Sequence, residues 1–442
     1  MFLFLPNSRR MGFAGTIGPG TLLERKPIRM LKYTASHAVE VKSRLTRRAL
    51  LLAGAGAALS GCASGGGGSG GDVASIASST QVAAPLGSTL ADAPVKVALL
   101  LPFSKAGEGQ KVANALKQAA ELALFEAKGA NITIIPKDTA ASSGAAEAAR
   151  SAIAEGAELL LGPFYAQDVQ AEAPIARAAN NPVLAFSSDR KVAGNGVYLL
   201  SFLAGDDVAR VIAYAASGGK RTFAALVPQT AYGAVVEQTL RTAVGQAGGR
   251  LVAVEHYAVD ANSIADPVNQ LKTDFIMAQK AGAPIDALLI PGGQDALPIV
   301  APMLPYNAID TKTVRLLGSG GWNYPTIGQE AGLNGGWFAG PDPAVWKDFS
   351  DRYGTSYGAP PPRLASLAYD AMTLALALAA NPAGQRFLPE KLTRASGFAG
   401  VDGLFRLRAD GTCERGLAIL EVTKVGPHVI DPAPSAFAVA QL

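Results

Sequence analysis

Few side chains in this 442-residue chain stand in an order suited to covalent chemistry. His37, His256 and His428 are scattered, and no His-Glu-x-x-His, Cys-x-x-Cys or Gly-x-Ser-x-Gly pattern occurs. The carboxylates Asp206, Asp207 and Asp342 stand at the openings of helices or turns, where capping accounts for them. Of the two cysteines, Cys413 follows the turn sequence Asp410-Gly411-Thr412 and reads as filler between strands. His256 reads as a strand-end surface residue. What remains is recognition chemistry. Hydroxyl, carboxylate and guanidinium groups are adjacent in Ser187-Ser188-Asp189-Arg190, and aromatic or hydroxyl pairs follow other apolar runs at Phe103-Ser104 and Phe164-Tyr165. The chain is therefore expected to bind rather than to catalyse, and to need no metal or cofactor.

The other cysteine ends the segment Arg44-Leu-Thr-Arg47-Arg48 … Leu59-Ser60-Gly61-Cys62. Basic residues lead into the apolar run Ala49–Leu59, which is shorter than the roughly 20 residues that span a bilayer. The order resembles a bacterial export signal with a lipobox, in which Cys62 is acylated and becomes the first residue of the mature chain. With Cys62 consumed, Cys413 has no intrachain disulfide partner. Arg47-Arg48 resembles a twin-arginine signal, and ordinary secretion stays open beside it. Residues 1–29 precede a further Met, Met30, and are set aside as a possible over-called start. Ala63 after the Cys favours outer-membrane sorting by the same resemblance. Residues 62–93, with Gly65-Gly-Gly-Gly-Ser-Gly-Gly, read as a Gly/Ser tether. No strand, helix or Lys frames those glycines as a phosphate loop.

Ten Lys/Arg and two Glu precede Cys62, so the whole chain's +4 becomes −4 once that segment is removed. A weakly acidic domain has no electrostatic footprint for nucleic acid. It has no polybasic patch for lipid either, so membrane attachment is expected through the acyl anchor alone.

The elements that must position the recognition groups alternate from Val95 onward. Val95–Leu101 is a continuous apolar run, as expected of a strand buried on both faces. A helix over 110–128 follows, with Val112, Leu116, Ala119, Ala120, Ala123 and Leu124 on one stripe. Strands are expected at 132–135, 158–161 and 183–186, and helices at 145–154 and 171–179. The rhythm restarts at 206–216, with strands at 222–227, 251–257, 286–290 and 314–317. Helices are expected at 232–247, 264–279 and 296–304. A strand near 336–339, a helix over 363–380 and strands at 403–407 and 417–422 close the chain. Strands alternating with helices imply parallel sheets covered on both faces. Some 349 positions exceed one typical core, so two lobes are expected.

Val97-Ala-Leu-Leu-Leu-Pro-Phe-Ser104, Gly156-Ala-Glu-Leu-Leu-Leu-Gly-Pro163, Val183-Leu-Ala-Phe-Ser-Ser-Asp189, Ala231-Tyr-Gly233, Gly335-Gly-Trp-Phe-Ala-Gly-Pro-Asp342 and Ala368-Tyr-Asp-Ala371 occur in an order and spacing that resemble type I periplasmic-binding proteins of the leucine/isoleucine/valine-binding group. Phe186-Ser-Ser-Asp-Arg and Asn195–Phe202 look most like the branch of penicillin-binding protein activator lipoproteins. The resemblance implies an α/β fold of two Rossmann-like lobes with parallel sheets, joined by three crossovers near Ser201, Gly340 and Phe405. Lobe one would hold 94–201 and 341–405, and lobe two 202–340 and 406–442. The cleft would lie between them, at the carboxyl ends of the strands.

In that frame Phe103, Ser104, Phe164, Tyr165, Ser187, Ser188, Asp189 and Arg190 would face the ligand from lobe one. Tyr232, Gln294, Trp322 and Asn323 would face it from lobe two. The resemblance assigns a carboxylate to Ser187 and Ser188, whose hydroxyls orient freely, and an ammonium to Asp189, or else a pairing of Asp189 with Arg190. The chain departs from amino-acid binders at Gly292-Gly293, where they carry an aromatic, and at Trp322-Asn323, where they carry a Glu. An unpaired ammonium in a closed cleft is costly. Two partners are implied: a small periplasmic ligand (amino acid, amide or wall fragment) and a peptidoglycan synthase. One reading is thus a synthase activator, the other the solute receptor of an amino-acid or amide ABC importer.

Overall fold

A computed structural model describes residues 94–258 and 263–437. The expected export signal, the expected acylation site Cys62 and the expected tether lie outside the described residues.

The chain opens as strand–helix alternation: β1 (Val95–Leu101), α1 (Glu108–Glu126), β2 (Ile132–Asp138), α2 (Gly144–Ala154), β3 (Leu159–Leu161), α3 (Ala166–Ala178), β4 (Val183–Ala185) and β5 (Val197–Leu199). The five strands form an all-parallel sheet in the order β2-β1-β3-β4-β5. The pleat of β1 explains its continuous apolar run. Val95, Val97, Leu99 and Leu101 enter one core, and Ala98 and Leu100 the other.

A second alternation follows: α4 (Asp206–Ser217), β6 (Thr222–Pro228), α5 (Ala231–Gln246), β7 (Arg250–Tyr257), α6 (Ala265–Lys280), β8 (Ala287–Ile290), α7 (Leu297–Tyr306), β9 (Arg315–Gly318) and β10 (Trp337–Gly340). The chain then returns to the first lobe with α8 (Pro343–Tyr357), α9 (Ala365–Ala379), α10 (Pro389–Leu392), β11 (Phe398–Gly400), β12 (Gly403–Leu407) and β13 (Cys413–Arg415). It ends in the second lobe with β14 (Ala418–Thr423) and β15 (Gly426–Asp431). The second sheet runs β15-β14-β10-β9-β8-β6-β7, parallel except where β14 meets β10 and β15. Phe223, Ala225 and Val227 of β6 face α4 and α5, while Ala224 and Leu226 face α6 and α7.

The strand and helix positions agree with the apolar patterning to within a few residues. α3 begins five residues before the expected Ala171, and carries Pro174 inside it. Four features differ further. β5 is only three residues long and follows a turn through Asn195 (φ 51°) and Gly196 (φ 87°), too short for periodicity to register. α8 is capped by Asp342, whose carboxylate accepts from Ala344 N at 2.8 Å. β11, β12 and β13 form a separate antiparallel sheet. The last crossover lies at Gly416-Leu417 rather than near Phe405, because Phe405, Leu407 and Cys413 are all buried in the lobe-one core. Cys413 is free, and burial pushes its thiol up to about 12.

Candidate functional site

The three crossovers, at 201–205, at Pro341 and at 416–417, meet the carboxyl ends of β4, β6 and β8 around one cleft of about 1210 Å³. Its lobe-one wall is the loop after β4. Phe186 O accepts from Ser201 Oγ at 3.1 Å, tying that loop to the first crossover. Ser187 is buried, and its hydroxyl accepts from Asp189 N at 3.2 Å. Asp189 in turn accepts from Lys191 N at 3.0 Å, fixing a short turn. This leaves Ser188 exposed on the cleft. Arg190 reaches across to Asp206 at 3.0 Å and to Ala204 O at 3.3 Å. Asp189 therefore serves its own loop, and Arg190 pairs with Asp206 instead.

The lobe-two wall is built from turns that exclude side chains. Thr230 caps α5, its Oγ1 accepting from Gly233 N at 3.1 Å. A Cβ at Gly233 would stand 1.9 Å from Pro228 O. Gly233→Ala is expected to cost about 1–3 kcal/mol, as overpacking does, seen as a lowered midpoint in thermal unfolding. A midpoint equal to the parent's would show that the turn relaxes freely. This glycine lets Tyr232 sit on the cleft wall. Burial, then the charge of Asp207, push its hydroxyl up to about 12. Tyr257 lines the same wall, is likewise pushed up to about 12 by burial and then by Asp295, and donates to Pro291 O at 3.4 Å. Gly292 (φ 152°) meets Gly321 backbone to backbone, since a Cβ at Gly321 would stand 2.2 Å from Gly292 O. Close approach thus requires glycine at 321 and the positive φ favours it at 292, whereas a Cβ at Gly293 would meet nothing nearer than 3.4 Å. Asp207 accepts from Val208 N at 2.8 Å and from Gly320 N, and burial raises its carboxyl. Asp295 and Asn323 complete this wall.

The floor carries charge. Arg363 and Arg415 both line the cleft, and Phe202 of the first crossover lies 5.3 and 4.9 Å from their guanidinium carbons. Behind them Asp370 and Asp402 are fully buried. Asp402 pairs with Arg363 and accepts from Ser366 Oγ at 2.6 Å. Asp370 accepts from Val401 N at 2.7 Å and from Arg415 Nη1 at 3.4 Å, and burial with the Asp402 charge raises its carboxyl.

Of the expected site residues, Ser188, Asp189, Arg190, Tyr232 and Asn323 come together on this cleft. Six others do not line it, and Ser187 is turned inward. Phe103, Ser104, Phe164 and Tyr165 gather beside the ends of β1 and β3. There Ser104 N donates to Asp138 Oδ1 at 3.2 Å and Phe164 meets Tyr165 edge-on at 5.1 Å. Lys105 Nζ lies 3.8 Å from the Tyr165 ring centre. Gln294 donates to Thr326 Oγ1 at 3.4 Å. Trp322 is wholly buried in lobe two, its indole N–H donating to Ile290 O at 2.9 Å, because the tight turn after β9 folds it under the sheet. His256 pairs with Glu237 at 2.7 Å.

Phe202, Arg363, Arg415, Tyr257, Asp207 and Asp295 are cleft residues that patterning missed. Asp207 did carry a signal, a carboxylate at a helix start beside a crossover. Arg415 carried none, being one of two charged residues in a three-residue strand. Among the described residues no cluster of His, Cys, Asp or Glu could hold a metal ion, and no helix is long and apolar enough to cross a membrane.

A family model described as periplasmic binding protein matches residues 94–427. No curated protein matches the chain. Among solved structures, a putative branched-chain amino acid ABC transporter from Rhodospirillum rubrum is 21% identical, with a TM-score of 0.64, over 76% of this chain and 100% of that one. An ABC transporter substrate-binding protein from Sphaerobacter thermophilus is 17% identical, with a TM-score of 0.61, over 78% and 98%. A branched-chain amino acid transporter substrate binding protein from Streptococcus pneumoniae, in complex with isoleucine, is 18% identical, with a TM-score of 0.52, over 77% and 100%. These likenesses describe the fold.

Proposed function

The chain belongs to the periplasmic binding protein family, in its type I leucine-binding group, and from that premise we propose that it is a non-catalytic receptor whose cleft captures a small charged solute for an ABC importer. The observation that carries this is convergence. Side chains from both lobes and from all three crossovers meet on one cleft of about 1210 Å³, the arrangement of a ligand site rather than of a filled interface. Arg363 and Arg415 stand on one side of it, Asp295, Tyr232 and Asn323 on the other. A free Asp295 beside a tyrosine supplies the acidic group that Trp322-Asn323 lacks, so a zwitterion or an amide is accommodated again. Acylated Cys62 would hold the receptor to a membrane, with the 62–93 tether giving reach.

A second reading, a regulator of peptidoglycan synthases on the outer membrane, is favoured by one feature, Ala63 directly after Cys62. A thermal-shift screen of the purified chain against amino acids, amides and wall fragments separates the two. A ligand at a hundred times its Kd adds about 2.7 kcal/mol of stability. The expected result is a raised midpoint with an amino acid or amide, lost in Ser188→Ala and Tyr232→Ala. No shift with any compound would overturn the receptor reading, and capture of a synthase would then establish the second.

A further inference from the structure

Arg415 lines the cleft and carries buried donors that no acceptor meets among the described residues. Its side chain is 5% exposed, and it lines the cleft floor. A guanidinium has five N–H groups in a fixed fork. Nη1 serves Asp370 at 3.4 Å, while Asp402 is 3.9 Å away, beyond hydrogen-bond reach. Nε and Nη2 are buried and have no hydrogen-bond partner among the described residues. Burying a donor without an acceptor forfeits its hydration with nothing in return. Those two nitrogens form one side of the guanidinium, the edge that grips a carboxylate with two parallel hydrogen bonds. The Phe202 ring lies 4.9 Å from the guanidinium carbon and itself lines the cleft. Arg363 flanks the same ring on the same floor. The two carboxylates that balance these arginines, Asp370 and Asp402, are fully buried and do not line the cleft. The arginines, not the carboxylates, are therefore what a ligand meets. Ser187, where the resemblance places a carboxylate, has its hydroxyl turned to Asp189 N.

We propose that Arg415, flanked by Arg363, is the recognition group for a carboxylate on the ligand, which accepts from Nε–H and Nη2–H once Phe202 turns off the guanidinium. The ligand is thus an organic acid seated anionic end down on the crossovers. This deepens the receptor reading and rests on it.

The test is calorimetric titration of the purified chain with isoleucine, benzoate and other small acids, each beside its primary amide. Acids are expected to bind at least tenfold more tightly than their amides. Arg415→Lys keeps the charge that Asp370 and Asp402 need but removes the fork, so the acid-to-amide ratio should fall at least tenfold. Phe202→Ala uncovers the fork and should tighten acid binding. Equal affinity for acid and amide, binding of amides alone, or an unchanged ratio in a folded Arg415→Lys would overturn the assignment and leave the receptor standing. Failure of every acid and every amide to bind would overturn both.

Discussion

Trp322→Ala should lower the stability of the protein by about 3–5 kcal/mol, the usual cost of emptying a large aromatic site in a core. The indole is 0% exposed and packs at 6.3 Å from Phe338. Two glycines make room for it: a Cβ at Gly318 would stand 2.2 Å from the indole, and one at Gly336 2.6 Å. Its N–H is satisfied by Ile290 O, so truncation also strands an acceptor at the end of β8. Because the turn after β9 carries Gly320, Gly321 and Asn323 onto the cleft, binding should weaken along with stability. Urea unfolding followed by far-ultraviolet circular dichroism measures the first effect. A loss below about 1 kcal/mol would mean that the lobe collapses into the void, contrary to the packing described.

Glu172→Gln should stabilise the protein at pH 8 and leave it unchanged at pH 4. Glu172 of α3 is 0% exposed, and neither carboxyl oxygen has a hydrogen-bond partner among the described residues. Burial, then the nearby charge of Asp168, push it well above the usual carboxylate range. The unfolded chain ionises near pH 4.3, at about the ordinary glutamate value, while the folded chain keeps its proton longer. Stability contributed by this group is therefore fully present below about pH 4 and is lost as pH rises through the folded value. Glutamine does not titrate, so the variant escapes that loss. The two stability curves are expected to separate above about pH 4, by up to about 1.4 kcal/mol per pH unit until the folded value is passed. Parallel stability curves for the two proteins from pH 4 to pH 8 would show that Glu172 finds a partner in the folded state.

Much of this architecture was legible in the sequence because buried parallel strands write continuous apolar runs. β1, β6 and β8 stand out as Val95–Leu101, Thr222–Val227 and Asp286–Ile290 for that reason. α8 was legible too and passed unread. Trp346, Phe349, Tyr353 and Tyr357 repeat at helical spacing behind Asp342 and Pro343, just past the strand expected near 336–339. The site divides along similar lines. Ser188, Asp189 and Arg190 lie in the turn directly after β4, and Tyr232 in the first turn of α5 just after β6, where polar residues betray themselves. Arg363 and Arg415 come from the last third of the chain and meet Phe202 only through the first and third crossovers. No local pattern encodes that meeting. Trp322 deceived for the opposite reason: its loop is at the cleft, but a large apolar ring beside two glycines turns inward.

The strand order also sets a schedule. β14 lies against β10 in the second sheet, yet it is made nearly eighty residues later. α9, which packs against the same core as α1, is likewise far behind its partner in time. A ribosome that has released the chain through Gly340 has exposed a bare β10 edge and an uncovered α1 face. Such edges pair with whatever strand they meet first. The nascent protein should therefore depend on an escort until its final segment emerges, and a chain stopped at Leu417, which holds all of lobe one but lacks β14 and β15, should keep a bare β10 edge and precipitate.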